Sequence, residues 1–170
     1  MRCSGGREAQ FLWLLVRPFA APLNARVRRL GILKTMEQKT KTGIWRSEMP
    51  ASEFAIQQLL IDCGLPLPSA YLNQLRRSNG GEGDLAIEPG WVSFWKAEKV
   101  MELNRGYEVA KNIPGFFGFG SNAGGEMLAF KVVGSGQFPI YMIPFIGMSE
   151  EDAVLLVEDF EAFSEAVGCM

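Results

Sequence analysis

The side chains that could do chemistry in this chain are carboxylates, because the 170-residue sequence contains no histidine. Histidine is the commonest general base, so its absence excludes histidine-based triads and metal pairs. Glu82 with Asp84 or Glu126 could act as an acid–base pair if both carboxyl groups were held in a shaped, partly desolvated site. These acids stand in glycine-rich loops, where carboxylates are more often solvated turn residues. We therefore expect no catalytic residues and no enzymatic activity.

One glycine pattern could indicate a bound nucleotide. Gly118-x-Gly120-x-x-Ala123 matches the loose dinucleotide fingerprint Gly-x-Gly-x-x-Gly/Ala. That fingerprint needs a following helix whose N-terminus meets the phosphate, whereas the strand-like segment 127–130 follows here. We therefore expect no cofactor.

The cysteines predict neither a metal site nor a disulfide framework. Cys3, Cys63 and Cys169 are odd in number, widely spaced and without a Cys-x-x-Cys pair. They therefore lack the spacing of zinc ligands and of a disulfide-rich scaffold. A reducing cytoplasm is the simplest compartment for such a chain, and we expect a cytoplasmic protein without a metal.

Charge is distributed unevenly along the chain. Residues 1–35 hold seven basic groups and one acidic group, whereas residues 36–170 hold ten basic and eighteen acidic groups. Nucleic-acid binding needs clustered lysine and arginine, so the acidic body argues against a nucleic-acid ligand. The surplus of acids would suit a basic protein partner, and it would equally keep a domain soluble.

The first 45 residues are interpreted as a leader that is separate from the fold. Their one apolar run, residues 11–16, is too short to span a bilayer, and Arg17-Pro18 follows it. The leader is either disordered or a mis-assigned start, with Met36 as the true first residue; its arginine-rich composition also resembles an organelle transit peptide. Residues 46–170 then form a single domain, and we expect no membrane partner.

Helix signals begin after Pro50. Ser52 is a typical N-cap and Gly64 a typical end for a helix whose apolar face would carry Phe54, Ile56 and Leu59.

Three more helices are predicted further along the chain. One covers residues 68–78, with Pro68 at the first helical position, and a short one covers residues 97–104. A final helix is predicted over residues 149–167, with Ser149 as its capping residue and apolar residues at intervals of three and four.

Strand patterns occur in five segments: 84–88, 91–95, 116–120, 126–133 and 138–146. The first two would form a hairpin through Pro89-Gly90. The order of elements lacks the regular strand–helix alternation of a doubly wound fold. It predicts an α+β fold with helices packed on a mostly antiparallel sheet of about four to six strands.

The last predicted strand contains Pro139 and Pro144, which cannot donate to a ladder. We therefore expect segment 138–146 to lie at an edge of the sheet or to carry a bulge. An exposed edge there could pair with a partner or with a second copy, so the expected state is a monomer or a weak dimer.

Several motifs in the body, taken in their order and spacing, resemble a SUKH domain of the Smi/Knr type over roughly residues 50–167. They are Leu67-Pro68-x-x-Tyr71, Asn79-Gly80-Gly81, the aromatic segment 91–95, Asn104, and Phe117-Gly118-Phe119-Gly120-Ser121-Asn122-Ala123-Gly124-Gly125-Glu126. The resemblance implies an α+β fold without catalytic machinery. Many bacterial members are immunity proteins that neutralise polymorphic or contact-dependent toxins, and fungal relatives regulate cell-wall synthesis.

The resemblance therefore implies binding to a cognate toxin, with an intracellular regulatory or scaffold role as the alternative and small-ligand binding as a weaker one. The candidate partner-binding residues are Glu82, Asp84, Glu88, Asn122 and Glu126. They lie on predicted loops, where binding residues concentrate.

Five residues of the same loops are assigned structural roles: Asn79, Gly80, Gly81, Gly124 and Gly125. The chain departs from many relatives in the second glycine loop. It has Asn122 and Ala123 where those relatives carry an acid.

Overall fold

A seven-stranded sheet runs through the computed structural model, which describes residues 43–134 and 136–167. Its strands follow one another in sequence order, and every neighbouring pair is antiparallel. The strands are β1 (Trp45–Ser47), β2 (Gly81–Asp84), β3 (Trp91–Phe94), β4 (Phe116–Ser121), β5 (Glu126–Lys131), β6 (Ile140–Pro144) and β7 (Val154–Val157).

Five helices accompany the sheet in the described residues. They are α1 (Glu53–Cys63), α2 (Ser69–Arg77), α3 (Ala97–Gly106), α4 (Val109–Asn112) and α5 (Phe160–Ala166). The predicted α+β fold with an antiparallel sheet is confirmed, with one strand more than the upper bound of the prediction. None of these helices combines the length and the apolar character needed to cross a bilayer.

The sheet begins at Trp45, the last residue of the segment assigned to the leader. Met36 and the rest of that segment up to residue 42 lie outside the described residues, as do Cys3 and Cys169. The boundary between leader and domain therefore stays a prediction.

Helix α1 has the predicted ends. The Oγ of Ser52 accepts a hydrogen bond from the Ala55 N–H at 3.1 Å, and Gly64 takes the left-handed conformation at φ 62°. Phe54 was wrongly placed on the buried face: its side chain is 77% exposed, because the core-facing stripe runs through Ile56 and Leu59 on the other side of the helix.

Helix α2 starts one residue later than predicted, with Pro68 at the N-cap position rather than inside the first turn.

The predicted strand over residues 84–88 is wrong. The ladder uses the glycine segment before it, with Gly81 opposite Phe94 and Asp84 opposite Trp91. Residues 85–90 form the connection instead. There Leu85 is buried and bridges Val167, and the Ala86 N–H donates to the Ala166 carbonyl at 2.6 Å. This connection packs on the end of α5, so its apolar side chains serve the core without forming a ladder strand.

The predicted helix over residues 149–167 is wrong in its first half. Ser149 caps only a turn, in which its Oγ accepts from the Asp152 N–H at 3.2 Å. Val154–Val157 then forms strand β7, since β-branched residues at both ends favour a strand. The helix begins after Asp159, whose Oδ1 accepts from the Ala162 N–H at 2.8 Å.

Strand β6 pairs with both β5 and β7, so an edge position for segment 138–146 is wrong. The alternative, a bulge, is right, because the β6–β7 register shifts between Ile140 and Tyr141. The two edges of the described sheet are β1 and β7.

The core lies on both faces of the sheet because side chains alternate along each strand. In β5, Leu128 and Phe130 point into the main cluster under the longer helices, whereas Met127 and Ala129 point into a smaller cluster that includes Val109 of α4. The main cluster is aromatic at its centre, with Tyr71, Phe119, Phe130, Phe160 and Phe163 all fully buried. The motif residues Tyr71 and Phe119 are therefore part of the main core.

Candidate functional site

The first candidate surface is strand β2, where glycines alternate with acids. Its glycines leave room for an aromatic ring from β1. A Cβ on Gly81 would lie 2.9 Å from a ring atom of Trp45, and one on Gly83 would lie 2.8 Å from another. The Trp45 ring also meets Phe94, with 5.4 Å between centroids. A side chain at either glycine would therefore displace the indole, which gives both glycines a packing role.

The acids of β2 are engaged by β1 and by the residue just before it. Arg46 Nη1 donates to Glu82 Oε1 at 2.8 Å, and the Ile44 N–H donates to Asp84 Oδ2 at 2.8 Å. Glu82 and Asp84 are two residues apart in a strand, so they lie on the same face. Two of the predicted partner-binding carboxylates thus already have internal partners.

Glu88 lies in the connection between β2 and β3, before a cis peptide bond to Pro89. Its side chain is exposed and makes no hydrogen bond or ion pair with any other described residue. Of the three acids predicted around β2, Glu88 is therefore the one whose carboxylate has no partner among the described residues. Across the described residues, no group of three or more cysteines or acids is placed to hold a metal ion.

The second candidate surface is the turn between β4 and β5. The Asn122 side-chain oxygen accepts three backbone N–H groups, from Gly124 at 2.8 Å, Gly125 at 3.1 Å and Glu126 at 3.0 Å. Its amide nitrogen donates to the Glu126 carboxylate. The predicted binding residues Asn122 and Glu126 thus hold each other and organise this turn, in which Ala123 adopts a positive φ of 58°.

The two surfaces lie near each other on the sheet. Glu82 is opposite Ser93 on β3, and Ser93 is opposite Ser121 on β4, the residue before Asn122. Strands are about 4.8 Å apart, so the Glu82 and Ser121 backbones are separated by roughly 10 Å. The structure therefore brings the Glu82 and Asn122 regions to the same end of β2 and β4, the two strands that flank β3.

Asn79 organises the start of helix α3. Its Oδ1 accepts from the Ala97 N–H at 2.7 Å, and its Nδ2 donates to Glu98 Oε2 at 2.8 Å. Lys96, at the N-cap position, provides no side-chain bond to the helix. The asparagine of the Asn-Gly-Gly motif thus caps a helix that begins 18 residues later, while Gly80 supplies a positive φ of 94°.

Asn104 is a structural residue that the sequence marked only through its place in the family motifs. It is buried, its Nδ2 donates to the carbonyls of Val100 and Gly118, and its Oδ1 accepts from the Gly118 N–H, each at 2.8 Å. The register of β4 shifts between Gly118 and Gly120. Asn104 therefore satisfies backbone groups that the ladder leaves open beside this irregularity.

Tyr71, the tyrosine of the Leu-Pro-x-x-Tyr motif, lies at the centre of the main core. Its ring packs against Phe119, Phe130 and Phe160 with centroid separations of 5.7, 5.4 and 5.4 Å. Its hydroxyl is buried without a hydrogen-bond partner in the described residues. Burial raises the pKa of the Tyr71 phenol far above its ordinary value, so the hydroxyl stays protonated.

The segment that engages β2 was missed by sequence reasoning, which assigned residues up to 45 to a leader. The available signal was brief: an aromatic residue followed by a basic one, Trp45-Arg46, before the first helix. Its strand is three residues long and pairs with residues 34 to 38 positions away. No local pattern could have identified that partner.

The described residues carry seventeen acidic and eight basic side chains. The candidate surfaces thus lie in an acidic body.

Comparison with known proteins identifies one family. The model described as SMI1 / KNR4 family (SUKH-1) matches residues 50–166, which is more than half of the chain. Strand β1 lies just before the matched span. A search of curated proteins finds no match to this chain.

Proposed function

The chain belongs to the SMI1/KNR4 family (SUKH-1), and from that premise we propose that it is a non-catalytic immunity protein. In this proposal the chain binds a cognate toxin in a stoichiometric complex and blocks the toxin's active site or substrate path. The resemblance in the family motifs supports this role. A cytoplasmic location belongs to the same proposal and is consistent with the free thiol of Cys63.

The observation that carries the proposal is the acidic face around β2. Glu82 and Asp84 share one face of the strand, and Glu88 follows in the adjoining connection. Acids outnumber bases among the described residues, so a basic protein surface would be attracted and a nucleic acid repelled. Charge complementarity of this kind speeds encounter between partners.

Affinity needs an apolar anchor as well as charge, because a few buried aromatic or aliphatic residues supply most binding energy. Trp91 is half-buried and stands opposite Asp84 in the β2–β3 ladder. Its exposed part lies beside the acids. We propose that it packs against an apolar group of the toxin while Glu88 meets a basic one.

The test is affinity capture with the tagged full-length chain, comparing the native protein with a triple charge reversal, Glu82→Lys, Asp84→Lys and Glu88→Lys. We expect the native chain to recover one secreted protein in stoichiometric amount, and the triple variant to recover it at least about tenfold less efficiently. Native levels of recovery by a folded triple variant would overturn the electrostatic part of the proposal.

A matched control changes net charge at the opposite edge of the sheet. Glu151 and Glu158 flank β7, are exposed and make no ion pair with the other described residues. The double variant Glu151→Lys and Glu158→Lys should capture the partner as the native chain does. Recovery of several endogenous housekeeping proteins in place of one toxin would favour the regulatory or scaffold role.

A further inference from the structure

Strand β1 binds to β2 in the manner of a bound peptide. It is three residues long, it lies before the span that matches the family, and it adds to the outer edge of β2 by antiparallel pairing. Its Arg46 side chain pairs with Glu82, and its Trp45 ring covers both glycines of the candidate surface. We propose that an extended segment of the protein partner binds to the edge of β2. In the free chain β1 covers this edge, and the partner segment displaces it.

The chemistry of β1 defines what this edge accepts. The Trp45 indole lies over Gly81 and Gly83, where any Cβ would collide with it. The next residue, Arg46, points to the other face and pairs with Glu82. The partner segment is therefore an extended strand in which an aromatic residue is followed by a basic one.

Strand β1 is also suited to exchange. It contributes three paired residues, of which Arg46 and Ser47 are exposed and only Trp45 is half-buried against the main core cluster. Its ion pair with Glu82 is exposed to solvent, and such pairs add little stability. Short segments at the edge of a sheet open more readily than its centre, so β1 should open more easily than the central strands.

The chain just after β1 is held firmly and can act as the pivot of this opening. The Glu48 N–H donates to Ser78 Oγ at 2.8 Å, the Asn79 N–H donates to the Met49 carbonyl at 2.9 Å, and the Ala51 N–H donates to the Leu75 carbonyl at 2.9 Å. These bonds do not involve β1. Its release would therefore leave α1 and α2 in place.

The occupant is a different protein rather than a second copy of this chain. A second copy would bring the same β1 sequence and would compete with an intramolecular strand at high effective concentration. A different partner can add contacts outside the edge, for example at Glu88, and so displace β1. The inference rests on the proposed function only in requiring that a protein partner exists.

The test uses a fluorescent peptide with the sequence of residues 43–49, Gly-Ile-Trp-Arg-Ser-Glu-Met, and the full-length chain. In the native chain β1 competes with the peptide, whereas Trp45→Ala weakens that competition. The apparent affinity is the intrinsic affinity multiplied by the fraction of molecules in which the edge of β2 is open. Trp45→Ala should raise that fraction, so we expect about tenfold tighter binding to this variant. Arg46→Glu should produce the same increase if Trp45→Ala does not fold.

Two controls make the result specific. Adding Gly83→Ala to Trp45→Ala should abolish binding, because the new Cβ would overlap the position of the Ile44 carbonyl oxygen in the paired segment. A peptide with glutamate in place of its arginine should bind much more weakly, because it would face Glu82. Circular dichroism and a cooperative unfolding transition verify that each variant is folded.

The inference is wrong if the native chain, Trp45→Ala and Arg46→Glu bind the peptide with equal affinity. It is also wrong if the two variants are folded and neither binds the peptide. Exchange of β1 between two copies, seen as a dimer of the native chain in sedimentation, would overturn the choice of a different protein as occupant. This assay contains no toxin. A failed peptide assay and a failed capture of a toxin are therefore separate results.

Discussion

Three asparagine side chains, Asn79, Asn104 and Asn122, each bind backbone groups at points where regular hydrogen bonding stops. Asn79 does so at the start of α3, Asn104 beside the β4 irregularity, and Asn122 in the β4–β5 turn. An amide can accept and donate at once, and all three use both functions. Their positions in the family motifs have a physical reason that requires no ligand.

Asn104→Ala should destabilise the fold strongly. The substitution leaves the buried N–H and carbonyl of Gly118 without their partner, and two such groups cost about 2–4 kcal/mol of unfolding free energy. Asn112→Ala is the matched control, because Asn112 is exposed and its side chain makes one hydrogen bond, to the Tyr107 carbonyl. It should cost about 0.5 kcal/mol or less. Urea unfolding of both variants measures the difference, and equal costs would contradict the assigned role.

Tyr71→Phe should leave the protein as stable as before or more stable. The hydroxyl is buried without a partner in the described residues, and burying an unsatisfied polar group costs about 1–3 kcal/mol. The phenyl ring retains the contacts with Phe119, Phe130 and Phe160. Thermal unfolding measures the change. A marked fall in melting temperature would contradict this account, since it would mean that the hydroxyl has a partner.

At the scale of elements, local signals in the sequence were reliable and non-local ones were not. The ends of α1 follow from Ser52 and Gly64, which act within one turn of the helix. Strands β2 and β7 were missed because their conformation depends on distant partners, β1 for the glycine segment and β6 for Val154–Val157. The intervals of three and four in the last segment arise because Leu156 of β7 and Phe160 and Phe163 of α5 pack into the same main cluster.

The candidate site shows the same division. The sequence located the acids of β2 and the glycine turn near Asn122, because acids and glycines between apolar segments are local features. It could not show that Arg46 binds Glu82, which lies 36 residues away, or that Asn79 caps α3. Such contacts are decided by strand register and helix packing, which a single sequence does not display.

The N-cap of α5 distinguishes the predicted final helix from the observed one. Asp159→Ala removes the side-chain bond to the Ala162 N–H and should cost about 1 kcal/mol. Ser149→Ala alters only the turn before β7, so it should cost much less. Chemical denaturation compares the unfolding free energies of the two variants, provided that both show the same dependence on denaturant concentration. A larger loss of stability for Ser149→Ala would contradict the observed start of α5 and favour the long helix that the sequence predicted.

At the scale of the whole molecule, one ion pair joins α1 to α2 and links stability to pH. Arg76 donates to Glu53 at 2.7 and 3.3 Å. The hydrogen bond from Arg76 lowers the pKa of Glu53 below its ordinary value of 4.5. A lowered folded-state pKa stabilises the fold above the unfolded pKa, and the stabilisation is lost as pH falls through the folded pKa.

Arg76→Gln should therefore be less stable than the native chain near neutral pH, and the gap should close as the pH falls below the ordinary glutamate pKa of 4.5. Arg77→Gln is the control, because Arg77 is exposed and has no ion pair with the described residues. Unfolding free energies measured across this pH range test the linkage. A gap that persists at low pH would show that Arg76 acts through packing instead.

The acidic excess of the body is the property that connects fold and proposed function. Its acids lie on helices, strands and connections around the hydrophobic core, and none of those in the described residues is buried. Such a field attracts basic partners over distances comparable to the Debye length, about 8 Å at physiological ionic strength. Strand β1, with Arg46, provides an internal example of a basic segment bound there.

The most direct test is whether the chain protects cells that produce the C-terminal domain of the protein it captures. We expect restored growth with the native chain and with the Glu151→Lys and Glu158→Lys control, and loss of protection with Glu82→Lys, Asp84→Lys and Glu88→Lys combined. If the native chain is produced and folded but the cells still die, the immunity function is contradicted.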